Sequence, residues 1–248
     1  MSQRNNSDWN EAQSDMRQML IVLLLLGVPT WVAAADGNDI LQSKCSACHT
    51  TTKPDNPGLD HIWTRQGPDL HYAGSKFRQE WLVQWLQTPS RIRPAGEFYF
   101  KHVKAGSGVD EIDESTLQPH MKLAPDEARA VAEALMKKTA PADVIPKGTY
   151  RDEKTNMTMG SMFFNKLRGC ASCHQSAVGV GGNSGPELYT ASQRLQPDYV
   201  YAYIQDPQKI DPHVWMPNLS LSQTDIQRLT SYILQLSPAQ TSKGGGQL

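Results

Sequence analysis

Apolar residues recur at helical spacing in two well-separated stretches of the chain, and each stretch closes a similar block. Ala128, Val131, Ala132 and Leu135 share one face of a segment from Pro125 to Lys138. Ile226, Leu229, Ile233 and Leu236 do the same between Ser222 and Leu236. Pro125 suits the first position of its helix. Ser222 with Asp225 three residues on resembles a capping box, with Asp in place of Glu. Two middle helices are predicted over Phe77–Gln87, with Trp81 and Trp85, and over Pro197–Gln205, with Tyr199 and Tyr203. A proline beyond each end, Pro89 and Pro207, marks where it stops. Opening helices are expected over Asn38–Ala47 and Met159–Ala171.

The two blocks are versions of one pattern. Gly67-Pro68-Asp69-Leu70 matches Gly185-Pro186-Glu187-Leu188, and Pro89 and Pro207 each lie 21 positions after the proline of that motif. Without a gap, Lys76 aligns with Arg194, Phe77 with Leu195, Trp81 with Tyr199 and Trp85 with Tyr203. A fixed internal period of this kind indicates duplication. The organisation expected is a leader at 1–35, a first domain at 36–140, a linker at 141–156, a second domain at 157–238 and a flexible tail at 239–248. The blocks differ in one place. Pro89 to Met121 is 32 residues, whereas Pro207 to Met216 is 9. The first block therefore carries an insertion at about 91–118, expected to be a surface excursion, with partner docking as the sharper alternative.

The leader has the form of an export signal. Met19–Val28 is an apolar core preceded by Arg17, and Ala33-Ala34-Ala35 offers a cleavage site. A retained anchor is the alternative, although Pro29 interrupts the stretch and a span needs about 20 apolar residues. A start at Met16 would make the signal more compact. Removal of 1–35 leaves 22 basic and 22 acidic residues. The chain as given has a net charge of −1, with no basic footprint for nucleic acid. At 39% hydrophobic and 20% charged, it has the composition of a soluble globular protein.

The four cysteines change this picture most. They form Cys45-Ser46-Ala47-Cys48-His49 and Cys170-Ala171-Ser172-Cys173-His174. C-x-x-C-H is the attachment signature of haem c. Two intervening residues let one helical turn present both thiols to the two vinyl groups of a porphyrin, and the next residue directs imidazole at the iron. Structural zinc is the competing use of paired C-x-x-C knuckles, but 121 residues separate Cys48 from Cys170. No βαβ pattern surrounds either pair, as a thioredoxin-like site would require.

On these motifs the chain resembles the class I bacterial cytochromes c, and in particular diheme cytochromes of two fused domains, over about residues 37–138 and 157–236. The resemblance implies an all-α fold of two tandem cytochrome c-like domains, each with three to four helices around one haem c. It also implies His–Met ligation of each iron, and electron transfer. The proximal ligands would be His49 and His174. Met216, before Pro217 and shortly ahead of the final helix, is the expected second ligand of one iron. Met121 holds the equivalent place for the other, with Lys122 where the family has Pro and His120 next door as the alternative ligand. Pro68 and Pro186 correspond to the turn whose carbonyl accepts from the proximal His. Lys76 and Arg194 are candidate partners of haem propionates, and Trp81 and Tyr199 candidate porphyrin contacts. The expected cofactors are two haem c groups, and the expected partners are redox proteins, with no nucleic acid and membrane contact only through a retained leader. A periplasmic electron carrier, monomeric or a subunit of a complex, is expected. An electron-entry subunit of a dehydrogenase or respiratory complex is the alternative. A diheme peroxidase or thiosulfate dehydrogenase is the less favoured one, since no cysteine remains to serve as an unusual ligand.

Overall fold

The computed structural model describes residues 36–238 except 56 and 109. The leader and the tail proposed above lie outside them. The described part is mostly helical. No helix among the described residues is long and apolar enough to cross a membrane.

The first block opens with α1 (Gly37–Ile40), which continues as a π-turn over Leu41–Cys45. Asp36 caps it, its carboxylate accepting from Asn38 N at 2.8 Å. Then come α2 (Leu59–Thr64), α3 (Ala73–Lys76), α4 (Gln79–Gln87) and α5 (Pro125–Met136). The apolar stripe of α5 is buried as its spacing demands, with Ala128, Val131 and Ala132 at 0% exposure. It packs on α1 and α4. A Cβ at Gly37 would lie 3.0 Å from Ala134 Cβ, so α1 and α5 cross at backbone contact.

The second block has the same opening, middle and final helices. α6 (Met157–Met162) runs into a π-turn at Phe163–Leu167, followed by α7 (Ala191–Arg194), α8 (Pro197–Gln205), α9 (Pro207–Ile210) and α10 (Gln223–Gln235). Its opening helix is shorter than expected. Gly169 takes the left-handed conformation at φ 68°, and Cys170–Ser172 form a separate 3₁₀ turn. At the start of α10, Ser222 Oγ accepts from Asp225 N at 3.2 Å. The reciprocal half of a capping box is absent. Asp225 is one methylene shorter than Glu and pairs with Arg168 and Arg228 instead, at 3.0 and 2.8 Å.

The two blocks meet along a seam that repeats itself. Phe77 and Leu195 form an antiparallel bridge. Arg78 N donates to Arg194 O at 2.9 Å, and Gln196 N donates to Lys76 O at 2.9 Å. Arg78 Nε donates to Leu195 O at 3.0 Å, and Gln196 Nε2 to Phe77 O at 2.9 Å. Each bond has its counterpart under the alignment that pairs Lys76 with Arg194. The seam is therefore isologous, the arrangement of a two-fold dimer held in one chain. All described residues fall in one compact unit.

The expected linker is pinned along the second block. Asp198 accepts from Gly148 N and Tyr150 N at 2.8 and 2.9 Å, and Ile145 is 5% exposed. The insertion also departs from a free surface excursion. Ile92 O accepts from Glu187 N at 2.8 Å, Arg93 donates to Ser184 O at 2.8 Å, and Ala95 N donates to Asn183 O at 3.3 Å. Its first half is thus strapped across the loop behind the second C-x-x-C-H motif. Ala95 and Phe98 are buried there, so their backbone needs partners that solvent cannot supply. The second half carries a short antiparallel pair, β1 (Val103–Lys104) and β2 (Glu111–Ile112). A second pair, β3 (Gln175–Ala177) and β4 (Val180–Gly181), follows the second motif.

Arg65 ties this strap to both blocks. Its guanidinium grips Asp211 through both oxygens at 3.0 Å and lies 3.0 Å from Glu97 and 3.6 Å from Asp69. The Arg65 and Asp211 side chains are only 7% and 8% exposed. Burial alone would lower the Arg65 pKa. The hydrogen bonds of Asp211 and the charges of Glu97 and Asp69 outweigh it and raise the pKa. Asp211→Ala will leave this charge half-compensated and cost about 3 kcal/mol of stability, measured by urea unfolding of the holoprotein. Joint replacement by Arg65→Met and Asp211→Leu will cost less than the two single changes added together.

Candidate functional site

The two C-x-x-C-H motifs are built alike although the helices before them differ. In the first, Cys48 N and His49 N donate to Cys45 O at 3.1 and 3.0 Å. In the second, Cys173 N and His174 N donate to Cys170 O at 3.2 and 3.0 Å. One turn thus closes over the first cysteine and delivers the second cysteine and the histidine. All four thiols are free, with Cys48 and Cys173 exposed and Cys45 and Cys170 half-buried. Burial raises the pKa of the Cys45 and Cys170 thiols.

Each histidine is then oriented by the Gly-Pro turn of its own block. His49 Nδ1 lies 2.8 Å from Pro68 O, and His174 Nδ1 lies 2.8 Å from Pro186 O. A carbonyl can only accept, so Nδ1 carries the proton and Nε2 keeps its lone pair. The glycines before these prolines let the turns approach. A Cβ at Gly67 would stand 2.6 Å from His49 Nδ1, and one at Gly185 would stand 2.6 Å from His174 Nδ1. Burial lowers the His49 pKa and pushes His174 down to about 4. Both imidazoles are therefore neutral near pH 7, the form that binds a metal.

Around the first motif the structure gathers His61, Arg65 and Gln66, which line a cleft with Cys48 and His49. His61 Nε2 lies 3.0 Å from both carboxylate oxygens of Asp69. On α4, Trp81 stacks between Phe77 and Trp85 at 5.6 Å from each. Trp85 in turn meets the His120 ring at 4.6 Å. Met121 is 44% exposed, and its carbonyl lies 2.8 Å from His120 Nδ1. In the second block Tyr199 meets Tyr203 at 5.3 Å and Tyr72 of the first block at 6.2 Å. Gln208 holds the methionine loop by donating to Met216 O at 2.7 Å and Val214 O at 3.2 Å.

The matched cations at the seam have different surroundings. Arg194 donates to Glu187 O and to Thr190 Oγ1 and pairs with Glu187 at 3.6 Å. Lys76 lies over the rings of Tyr72, Phe77 and Tyr199 at 5.0 to 5.6 Å, and forms no ion pair among the described residues. Burial pushes its amine down to about 8, against the pull of Glu97 and Asp211. A half-buried cation with ring faces against it is suited to receive an anion.

Several contributors carry no motif that sequence reading would find. Arg65, Glu97 and Asp211 act together but are far apart in the chain, as are Arg93 and the second motif loop. An aromatic cluster of Trp63, Phe98, Phe100 and Trp215 also joins the blocks. Phe98 lies 4.4 Å from Trp63 and 5.3 Å from Trp215.

Residues 155–233 match the family described as cytochrome C oxidase, cbb3-type, subunit III. No curated protein and no solved structure matches the chain. The matched span contains Cys170, Cys173, His174 and Met216. This part is a cytochrome c domain, whose resident group is haem c with its iron and whose general role is electron transfer with redox partner proteins. The residues present fit that group, with two thiols on one turn and a neutral imidazole whose Nδ1 is fixed and whose Nε2 is free. Gly185→Ala will keep the thioether attachment but push the His174 ring off its carbonyl. The expected result is covalently bound haem with a partly high-spin spectrum and new carbon monoxide binding, read by electronic absorption of the purified protein.

Proposed function

We propose that the chain is an exported diheme cytochrome c that carries electrons. One haem c would be bound by Cys45, Cys48 and His49 and the other by Cys170, Cys173 and His174. The observation that carries this reading is the repeated bond between imidazole Nδ1 and the carbonyl of a Gly-Pro turn. The same 2.8 Å contact occurs in the block that the family match covers and in the block that it does not. A duplicated site with its orienting bond intact supports a duplicated cofactor. Haem c supplies a one-electron Fe(III)/Fe(II) couple, which thioether ligation of Met216 would place at the high end of the range.

The protein's own residues would do three things at these sites. The cysteine turns would fix each porphyrin through two thioethers, so the cofactor could not dissociate. The Pro68 and Pro186 carbonyls hold the ring orientation in both oxidation states, which limits reorganisation when an electron arrives. Lys76, and Arg194 through its remaining donor capacity, would face the propionates with charge-assisted hydrogen bonds. Trp81 and Tyr199, on matched helices, would pack against the porphyrins. The two blocks correspond to domains at 36–140 and 157–238, and the leader at 1–35 would direct the chain to the periplasm.

A second reading is an electron-entry subunit of a larger respiratory complex. The matched family is named for a subunit of an oxidase. In addition, Phe100, Trp215 and Trp63 expose 59%, 58% and 48% of their surface in one cluster beside Met216, more aromatic surface than a freely diffusing carrier needs.

The exported protein will contain two haems per chain by pyridine haemochromogen assay, and its intact mass will include two porphyrins. The Cys45→Ala/Cys48→Ala and Cys170→Ala/Cys173→Ala variants will each retain one. A single haem in the unaltered chain would overturn the diheme reading. Recovery in the membrane fraction with other polypeptides, in place of the soluble periplasm, would favour the subunit reading.

A further inference from the structure

The two distal sides of the sites are not equivalent. Met216 is followed by Pro217 and held by Gln208 through its own carbonyl. Met121 is followed by Lys122, exposes 44% of its surface, and offers its carbonyl to the neighbouring imidazole. That imidazole, His120, stands opposite His49 with ring centres 6.1 Å apart.

This spacing fits two imidazoles that share one metal. A metal–imidazole bond is about 2.0 Å and the ring centre lies about 1.1 Å beyond the nitrogen, so two imidazoles on opposite sides of one metal have centres roughly 6.2 Å apart. The 51° angle between the His49 and His120 planes is compatible with axial coordination, because rotation about the nitrogen–metal axis is free.

The tautomers agree with the spacing. His49 gives its Nδ1 proton to Pro68 O, and His120 gives its Nδ1 proton to Met121 O, both at 2.8 Å. Each ring is thereby left with an Nε2 lone pair. Fixing one ring nitrogen on a carbonyl while the other is free is the usual state of a metal-ligating histidine. Trp85, on α4, supports the His120 ring from behind.

We propose that His120, and not Met121, is the second axial ligand of the first haem. This rests on the diheme reading above. It makes the first site bis-histidine and the second histidine–methionine. Replacing thioether by imidazole removes a ligand that favours Fe(II), so the first haem has the lower potential. An electron entering the chain then rests on the second haem, which gives the protein an internal direction of flow from the first block to the second.

Near-infrared magnetic circular dichroism and electron paramagnetic resonance of the oxidised holoprotein test this. The expected result is one Fe(III)–Met charge-transfer signal per chain and one bis-imidazole signal. Met216→Leu will remove the methionine signal and Met121→Leu will leave it unchanged. His120→Ala will abolish the bis-imidazole signal, and added free imidazole will restore it. Two methionine signals in the unaltered protein, or halving of the methionine signal in Met121→Leu, would overturn the proposal. Should His120→Ala fail to accumulate, the unaltered spectrum and Met121→Leu still decide. Loss of the first haem from the haemochromogen count would instead refute the diheme reading itself, so the two failures are distinguishable.

Discussion

The bond from a histidine Nδ1 to a proline carbonyl is the constraint on which the sites depend. A C-x-x-C-H turn by itself brings an imidazole near two thiols but leaves its ring free to rotate and either nitrogen free to hold the proton. The carbonyl removes both freedoms. It is worth only about 1 kcal/mol as a hydrogen bond, yet it selects which nitrogen is offered to a metal. The chain reaches this end by two routes. In the first block Pro68 lies 19 positions after His49, with the helix α2 between them. In the second, Pro186 lies 12 positions after His174, with the β3–β4 pair between them. The paths differ while the end point is the same, which is the behaviour expected when the contact, and not the loop, matters to function.

The seam between the blocks imposes a second constraint. Two copies of one element meet about a pseudo-two-fold axis at Phe77 and Leu195, so each backbone bond across it is made twice. The same symmetry puts two cations, half-buried Lys76 and buried Arg194, at matched places beside the seam. Like charges at close range are costly in a low-dielectric interior. The chain resolves this asymmetrically. Arg194 is neutralised by Glu187 of its own block. Lys76 is left over aromatic faces, with Glu97 and Asp211 at longer range and its amine weakened. A duplicated fold has thereby acquired one cation already paired within the protein and one open to an anion.

Local signals were legible in the sequence and long-range ones were not. The middle and final helices end within about two residues of where proline and apolar spacing place them, because caps and periodicity act over a single turn. The opening helix expected over Met159–Ala171 instead ends at Leu167, because Gly169 turns left-handed ahead of the second motif. The C-x-x-C-H pairs and the Gly-Pro turns stand out because their chemistry fixes a spacing. The Arg65–Asp211 clasp joins residues 146 positions apart, and no period or motif relates them. The docking of Ile92, Arg93 and Ala95 on the second motif loop is hidden for the same reason. Backbone partners leave no mark on residue identity.

The insertion shows how duplication and divergence combine. It starts where α4 of the first block ends and returns to the loop that holds His120 and Met121. On the way its first half closes over the second motif, and Glu97 joins the Arg65 clasp. One segment therefore reaches both sites, framing the distal side of the first and the attachment loop of the second. The second block has no such excursion and answers with single residues, Asp211 in the Arg65 clasp and Trp215 against Phe98. Two sites that began alike are held in fixed relation by a strap belonging to only one of them. That asymmetry lets one methionine loop keep its short proline-bounded form, while the other, released from the same geometry, presents an imidazole across from His49.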